Sequence, residues 1–398
     1  MKASACDRPA LEGGTPLRRE RLPLFFAQVS EEAIRDVGEV LRSGWLATGA
    51  HVDTFETRFA AYVGVAHAVA LTSGTQALEL ALEAMGVGDG DDVITTPLTF
   101  VATAHAIMNR GARPVLVDID RTTWTLDAAR LEAAITPRSR CILPVHFAGR
   151  PSDMAGIAAQ ASAHGLPVLG DGAHAIEARA EGRNLATWGT ANAYSFHPCK
   201  ALTTGEGGMV VTHDAALAER VRKLRFHGLV VAEAGSAWAR DVTGPGHKAN
   251  MSNLQAVLGL RQLEHLESRY AHRCALVARY RHGLQDVGAF ELPAPCQPSQ
   301  RHAWHLFTIL LKPETLRIDR QTLISAMASE NIEVGIHYRP LHCLSYLQDR
   351  YGFTAQSCPV ATDVAGRILS LPLHAAMREA DVDTVVAALA RVADYYAR

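Results

Sequence analysis

The stretch LPVLGDGAHAIEA at 166–178 runs from apolar residues straight into an acid, Asp171, and then into small residues and His174. Pro167–Gly170 reads as a buried strand, and a carboxylate at the carboxyl end of such a strand is costly unless a cation or a donor meets it. Taken alone, Asp171 could equally cap the next segment, and His174 could be a hydrogen-bonded core residue. Working outward, the runs His67–Thr72, Asp92–Thr96, Pro114–Asp118, Cys141–Val145 and Ala193–Phe196 repeat the β-rich pattern. Helical compositions at Gln76–Met85, Val101–Asn109 and Met154–His164 lie between them. Strands alternating with helices predict an α/β fold with a mostly parallel central sheet flanked by helices, its chemistry gathered at strand ends.

The first 20 residues, with Gly13-Gly14-Thr15-Pro16, read as an arm (1–20) ahead of a large α/β domain (21–270). The helical pattern Leu254–Leu266 closes that domain, and the proline-bearing Pro293–Arg301 is a connection. A smaller α+β C-terminal domain (271–398) is expected to hold a strand at Trp304–Leu311, a helix at Arg320–Ser329, a strand at Ile332–Tyr338 and a terminal helix. That last helix places Val382, Val385, Val386, Leu389, Val392, Ala393 and Tyr396 on one face.

Thirty residues beyond Asp171, AYSFHPCKALTTGEGGMVVT (193–212) sets Lys200 between a strand-like run and the glycine-bearing Gly205–Gly208. A lone lysine is ordinarily a solvated surface charge. Here Phe196, Pro198 and Cys199 favour burial, which lowers the amine's pKa and lets it attack an aldehyde. AVALTSGTQALELALEAMG (68–86) supplies Ser73, Gly74 and Thr75 where an apolar strand meets an amphipathic helix. Free backbone N–H groups there suit a phosphate dianion, although Ser and Thr are also ordinary caps. Phe100, just after a strand, offers an aromatic face or a plain core residue. An amine for an aldehyde, a carboxylate for a pyridinium and a phosphate cup are together what pyridoxal 5′-phosphate (PLP) requires.

Composition narrows the classes. A net charge of −2 gives no cationic field for nucleic acid or an anionic membrane. The chain opens without the apolar core of a signal peptide, and no run has the apolar length of a membrane span. The seven cysteines form no C-x-x-C pair, so no metal site or disulfide framework is indicated and a reducing cytoplasm is expected.

From about Leu22 to the C-terminus the chain resembles the DegT/StrS-type nucleotide-sugar aminotransferases, PLP enzymes of fold type I. The matching phrases are SGWLATG (43–49), SGTQAL (73–78), PLTFVAT (97–103), PVLVDID (114–120), PVHFAG (144–149), DGAHA (171–175), SFHPCK (195–200), TTGEGG (203–208) and HGL (227–229). The resemblance implies that Lys200 is the Schiff-base lysine and that Asp171 pairs with the pyridine nitrogen. It further implies that His174 lies near the phenolic oxygen, that Phe100 stacks on the ring, and that Gly74, Thr75 and Ser195 hold the phosphate, to which the reading of the helix start adds Ser73. Relatives are homodimers in which a segment like GHKANMSNLQA (246–256) completes the neighbour's cup, so Lys248 and Asn250 enter as cofactor ligands. Two departures stand out: Gly170 replaces an acid common in relatives, and Lys248 an asparagine.

The resemblance also implies a reaction. An amino donor, glutamate, gives its nitrogen to the cofactor, and the pyridoxamine 5′-phosphate form passes it to a nucleotide-linked keto sugar to yield an amino sugar. Lys200 moves the proton while Asp171 tunes the ring. VGIHYRPLH (334–342) is similar to the loop of C4 aminotransferases, which favours a 4-keto sugar and makes His337 and Arg339 substrate contacts, though both read as well as loop residues. LEGGTPLR (11–18) is instead similar to relatives that aminate keto-cyclitols. A dehydratase of the same fold is disfavoured because the lysine is kept. A PLP-binding regulatory module is disfavoured by the lack of a basic helix-turn-helix pattern before residue 40.

Overall fold

In the computed structural model, which describes residues 8–231 and 240–398, the apolar runs become short buried strands. They are β1 (His67–Leu71), β2 (Asp92–Thr95), β3 (Arg113–Leu116), β4 (Ser139–Leu143), β5 (Leu169–Asp171), β6 (Ala191–Ser195) and β7 (Gly208–Thr212). β2 lies parallel between β3 and β4, with Val93 facing Pro114 on one side and Cys141 on the other. β5 and β6 are parallel, and β7 runs antiparallel between β6 and β1. Parallel bridges Ile142↔Val168 and Val145↔Asp171 join the two halves, which gives the order β3-β2-β4-β5-β6-β7-β1. The sheet is therefore mostly parallel, as expected, with β7 as the reversed strand.

One core runs through both halves: Val69, Val93, Leu143, Leu169, Ala193 and Val210 belong to a single buried cluster. Helices cover the faces. α1 (Glu31–Ser43) and α2 (Ala50–Val63) precede the sheet, and α3 (Gly74–Ala84), α4 (Ala102–Met108) and α5 (Met154–Ala163) fill the expected crossovers. α6 (Ala215–Leu224), unanticipated in the sequence, starts where Asp214 accepts from the N–H groups of Ala216 and Leu217. α7 (Asn253–Glu264) is followed by the long α8 (Leu266–Leu284), whose Leu276, Val277 and Tyr280 enter a second core.

That second core packs the three-stranded antiparallel sheet β8 (Phe290–Glu291), β9 (Phe307–Leu311) and β10 (Ile368–Leu371) against α9 (Arg320–Ser329) and α10 (Glu379–Tyr395). α9 has the expected bounds. The face expected of α10 is buried apart from Val386, which is partly so. The strand expected at Ile332–Tyr338 does not form. That segment makes only single bridges, Leu22↔Ile332 in parallel and Gly335↔Ser370 in antiparallel sense, so its two parts pair with different partners and no continuous ladder builds up. The N-terminal arm packs here too. Ala10 and Leu17 donate their N–H groups to the fully buried Glu330 carboxylate at 2.8 and 2.9 Å. Among the described residues, no helix is long and apolar enough to cross a membrane.

Candidate active site

The carboxyl edge of the parallel strands carries the chemistry. β1 ends at Leu71, and Ser73 caps α3 by accepting from Gln76 N–H at 3.1 Å, so its capping role is real. The N–H groups of the first turn still point out of the helix, where the dipole favours an anion. Two glycines make the site tight. A Cβ on Gly74 would lie 2.7 Å from Ser195 Cβ, and one on Gly208 would lie 2.2 Å from the Ser73 carbonyl oxygen. The start of α3 is thus pressed onto the end of β6, with the Ser195 hydroxyl beside it.

Asp171 ends β5 and is 5% exposed. Its Oδ2 accepts from Thr103 Oγ1 at 2.8 Å and its Oδ1 from Ala173 N–H at 3.1 Å. Burial raises its pKa, and those two bonds and the Lys200 charge oppose the rise. The glycine before it also has a local reason: a Cβ at Gly170 would fall 1.9 Å from Asn192 Oδ1.

Lys200 follows β6 in a turn closed by its own N–H to His197 O at 2.8 Å. Its side chain is half-buried, and burial lowers the amine's pKa while Cys199 and Asp171 act to raise it. His174 faces the same space. Its Nε2 is 3.2 Å from Tyr338 Oη, and its ring lies 4.3 Å from that of His305. Burial, Lys200 and His337 all hold its pKa well below the usual histidine value, so it is neutral at pH 7.

These groups line one cavity that opens to solvent. The structure brings Ser73, Gly74, Thr75, Phe100, Asp171, His174, Ser195, Lys200 and His337 together there. Phe100 lines the cavity with 57% of its surface exposed, its ring 5.8 Å from that of Tyr338. His337 also bonds Ser370 Oγ through Nδ1 at 2.8 Å. Arg339 is exposed and outside the cavity. Lys248 and Asn250 are outside it as well: Lys248 donates to Asn250 and lies over the Phe226 ring, and Asn250 Nδ2 donates to Thr48 Oγ1 at 2.6 Å.

A PLP molecule suits this donor set. The cavity offers an amine with lowered pKa, a buried carboxylate, and a helix start with hydroxyls. It also holds buried polar atoms without partners, His174 Nδ1 and Tyr194 Oη.

Residues 27–390 match the model of the DegT/DnrJ/EryC1/StrS aminotransferase family. The chain belongs to that family. It is 42% identical over 378 residues to the spore coat polysaccharide biosynthesis protein SpsC of Bacillus subtilis (strain 168), covering 94% of this chain and 97% of that one. Among solved structures it resembles the PLP form of Spr1654 of Streptococcus pneumoniae, named as a sugar aminotransferase (TM-score 0.88, 29% identity, 94% and 99% of the two chains). It also resembles DesI in the presence of its TDP-sugar product (TM-score 0.88, 30% identity, 98% and 97%). The architecture is that of fold type I, and the chain is an aminotransferase.

Three cavity or near-cavity residues escaped the sequence reading. Thr103 lies in the quoted phrase PLTFVAT, yet nothing local shows that its hydroxyl meets an acid 68 positions away. Tyr338 sits between the two loop residues singled out, and it, rather than Arg339, reaches His174. His305 follows a tryptophan in an apolar run and carries no motif.

Proposed function

We propose that the chain moves an amino group from glutamate to a nucleotide-linked keto sugar, a 4-keto sugar being favoured, with PLP as its cofactor. The observation that carries this reading is the convergence of Lys200, Asp171 and the start of α3 on one cavity. When bound, the cofactor supplies an electron sink that allows the amino group to be exchanged.

The chain's own residues do the rest. Lys200 Nζ holds the cofactor aldehyde, and its lowered pKa lets the same atom take up and return a proton. Asp171 would pair with the pyridine nitrogen and hold it protonated. Ser73, Gly74, Thr75 and Ser195 would hold the phosphate, Phe100 would cover the ring, and His174 would serve its phenolic oxygen. His337 and Arg339 serve the sugar, a role supported for His337 by its place in the cavity. Lys248 and Asn250, lying outside their own cavity, reach the phosphate of a second copy in a cytoplasmic homodimer. The large domain (21–270) carries the cofactor site and the small domain (271–398) brings His337, while the arm (1–20) lies against the small domain.

The test is to incubate purified protein with glutamate and a panel of nucleotide 4-keto sugars and keto-cyclitols, following product mass. An amino sugar formed by the wild type but not by Lys200→Ala supports the reading. Amination of cyclitols alone would reassign the acceptor, and turnover by Lys200→Ala would remove the lysine from its role.

A further inference from the structure

A second, smaller cavity shares Cys199 and Lys200 with the first, and His305, whose ring lies on His174, forms part of its wall. Arg269, Arg273 and His374 also line it, and no Asp or Glu does. Arg273 is committed to the buried Glu177, with its Nε left unpartnered. Arg269 is different. Its guanidinium donates only to neutral oxygens, Gln262 Oε1 and, at 3.2 Å, the Gln28 carbonyl. No carboxylate among the described residues acts on it, and burial and the charge of Arg273 both push its pKa down.

His374 is 9% exposed; among the described residues neither ring nitrogen has a partner at full hydrogen-bond geometry, the Pro23 carbonyl being its nearest acceptor and Asp381 the acid whose charge reaches it. A half-buried guanidinium without a counter-charge, beside a buried imidazole whose pairing is incomplete, is a costly arrangement that an anion would relieve. The planar fork of Arg269 suits a carboxylate, and Lys200 in the wall sets that anion close to the reacting amine.

We infer that this cavity takes the distal carboxylate of a dicarboxylic amino donor, with Arg269 and His374 as its ligands. The inference rests on the aminotransferase reading of Lys200 and deepens it. The donor's amino group enters the main cavity while its side chain reaches past Lys200 to Arg269. A donor without a second carboxylate leaves Arg269 and His374 unmet, so the site discriminates by side-chain charge rather than by size.

The experiment titrates the PLP-loaded holoenzyme, which cannot aminate an oxo acid, with 2-oxoglutarate and with pyruvate by calorimetry, in the wild type and in Arg269→Gln, Arg269→Lys and His374→Phe. The wild type is expected to bind 2-oxoglutarate at least about 10-fold more tightly than pyruvate, the gain of a charge-assisted carboxylate contact. Arg269→Gln and His374→Phe are expected to lose most of that ratio by weakening 2-oxoglutarate alone, and Arg269→Lys to restore part of it. Cofactor absorbance and thermal unfolding establish that each variant folds and loads. Equal affinities in the wild type, or an unchanged ratio in both Arg269→Gln and His374→Phe, would overturn the inference while leaving the cofactor reading intact. A wild type that takes up no cofactor overturns both.

Discussion

Thr103 donates its hydroxyl to Asp171 Oδ2 across 2.8 Å, from the first turn of α4 to the end of β5. With Ala173 N–H on the other oxygen, it opposes the rise in pKa that burial imposes on the Asp171 carboxyl. Thr103 is thus a positioning residue for the group proposed to tune the cofactor.

Replacing it by valine removes a hydrogen bond to a charged group, worth about 1.5–3 kcal/mol. Thr103→Val is therefore expected to lower kcat roughly 10-fold or more and to move the acidic limb of the pH profile upward, because Asp171 then protonates more readily. Thr103→Ser should keep most activity. Identical pH profiles for wild type and valine variant would exclude the role.

Gly74 tests the phosphate end. The 2.7 Å approach of its missing Cβ to Ser195 means that alanine must push the start of α3 away from β6. Gly74→Ala is expected to weaken cofactor binding by about 1–3 kcal/mol, the usual cost of overpacking. Absorbance titration with PLP reads this directly, and an unchanged Kd would count against a cup at this position.

The ion pair of Arg273 and Glu177 is buried on both sides, with side chains 5% and 0% exposed. Arg273→Met would strand a carboxylate in the interior and is expected to destabilise the fold by about 3–5 kcal/mol. The double variant Arg273→Met/Glu177→Leu should recover most of that loss. Urea midpoints of the two variants decide it: if the double variant is no better than the single one, the stranded charge is not the cause.

Buried histidines set the acid side of the stability curve. Burial pushes His146 down to about 3, and His174, His302 and His305 are shifted in the same direction. Between the ordinary value near 6.5 and these lowered ones, the unfolded chain binds protons that the fold refuses. Stability is then fully present above about pH 6.5 and is lost as pH falls toward 3, at about 1.4 kcal/mol per pH unit for each such group. Urea unfolding at pH 7.5 and 5.5 should show the drop, and His146→Gln should shallow it. Equal midpoints at both pH values would contradict the assignment.

The strand pattern was legible because it is written locally. β-branched and apolar runs such as DVIT and HAVAL carry their own period, and helix starts such as Ser73 carry their own cap. β7 was missed although GMVVT is as apolar as its neighbours, since a run of residues does not state which way it lies in a sheet. The strand expected at Ile332–Tyr338 failed for the complementary reason. Its apolar residues fit a strand, but its pairing is split between Leu22 and β10, which lie in distant parts of the chain.

By itself the sequence determined the mostly parallel sheet and the helix start at Ser73, because residue type, spacing and position after a strand suffice for each, and it singled out Lys200 and Asp171 as candidates once the ordered family phrases stood beside them. Only the tertiary structure decided that Thr103 supports Asp171, that Tyr338 rather than Arg339 meets His174, and that Arg269 and His374 face Lys200 across an acid-free cavity. Those relationships join residues 68 and 164 positions apart and more. They depend on where burial removes water and leaves a polar group one possible partner, which no local stretch of sequence records.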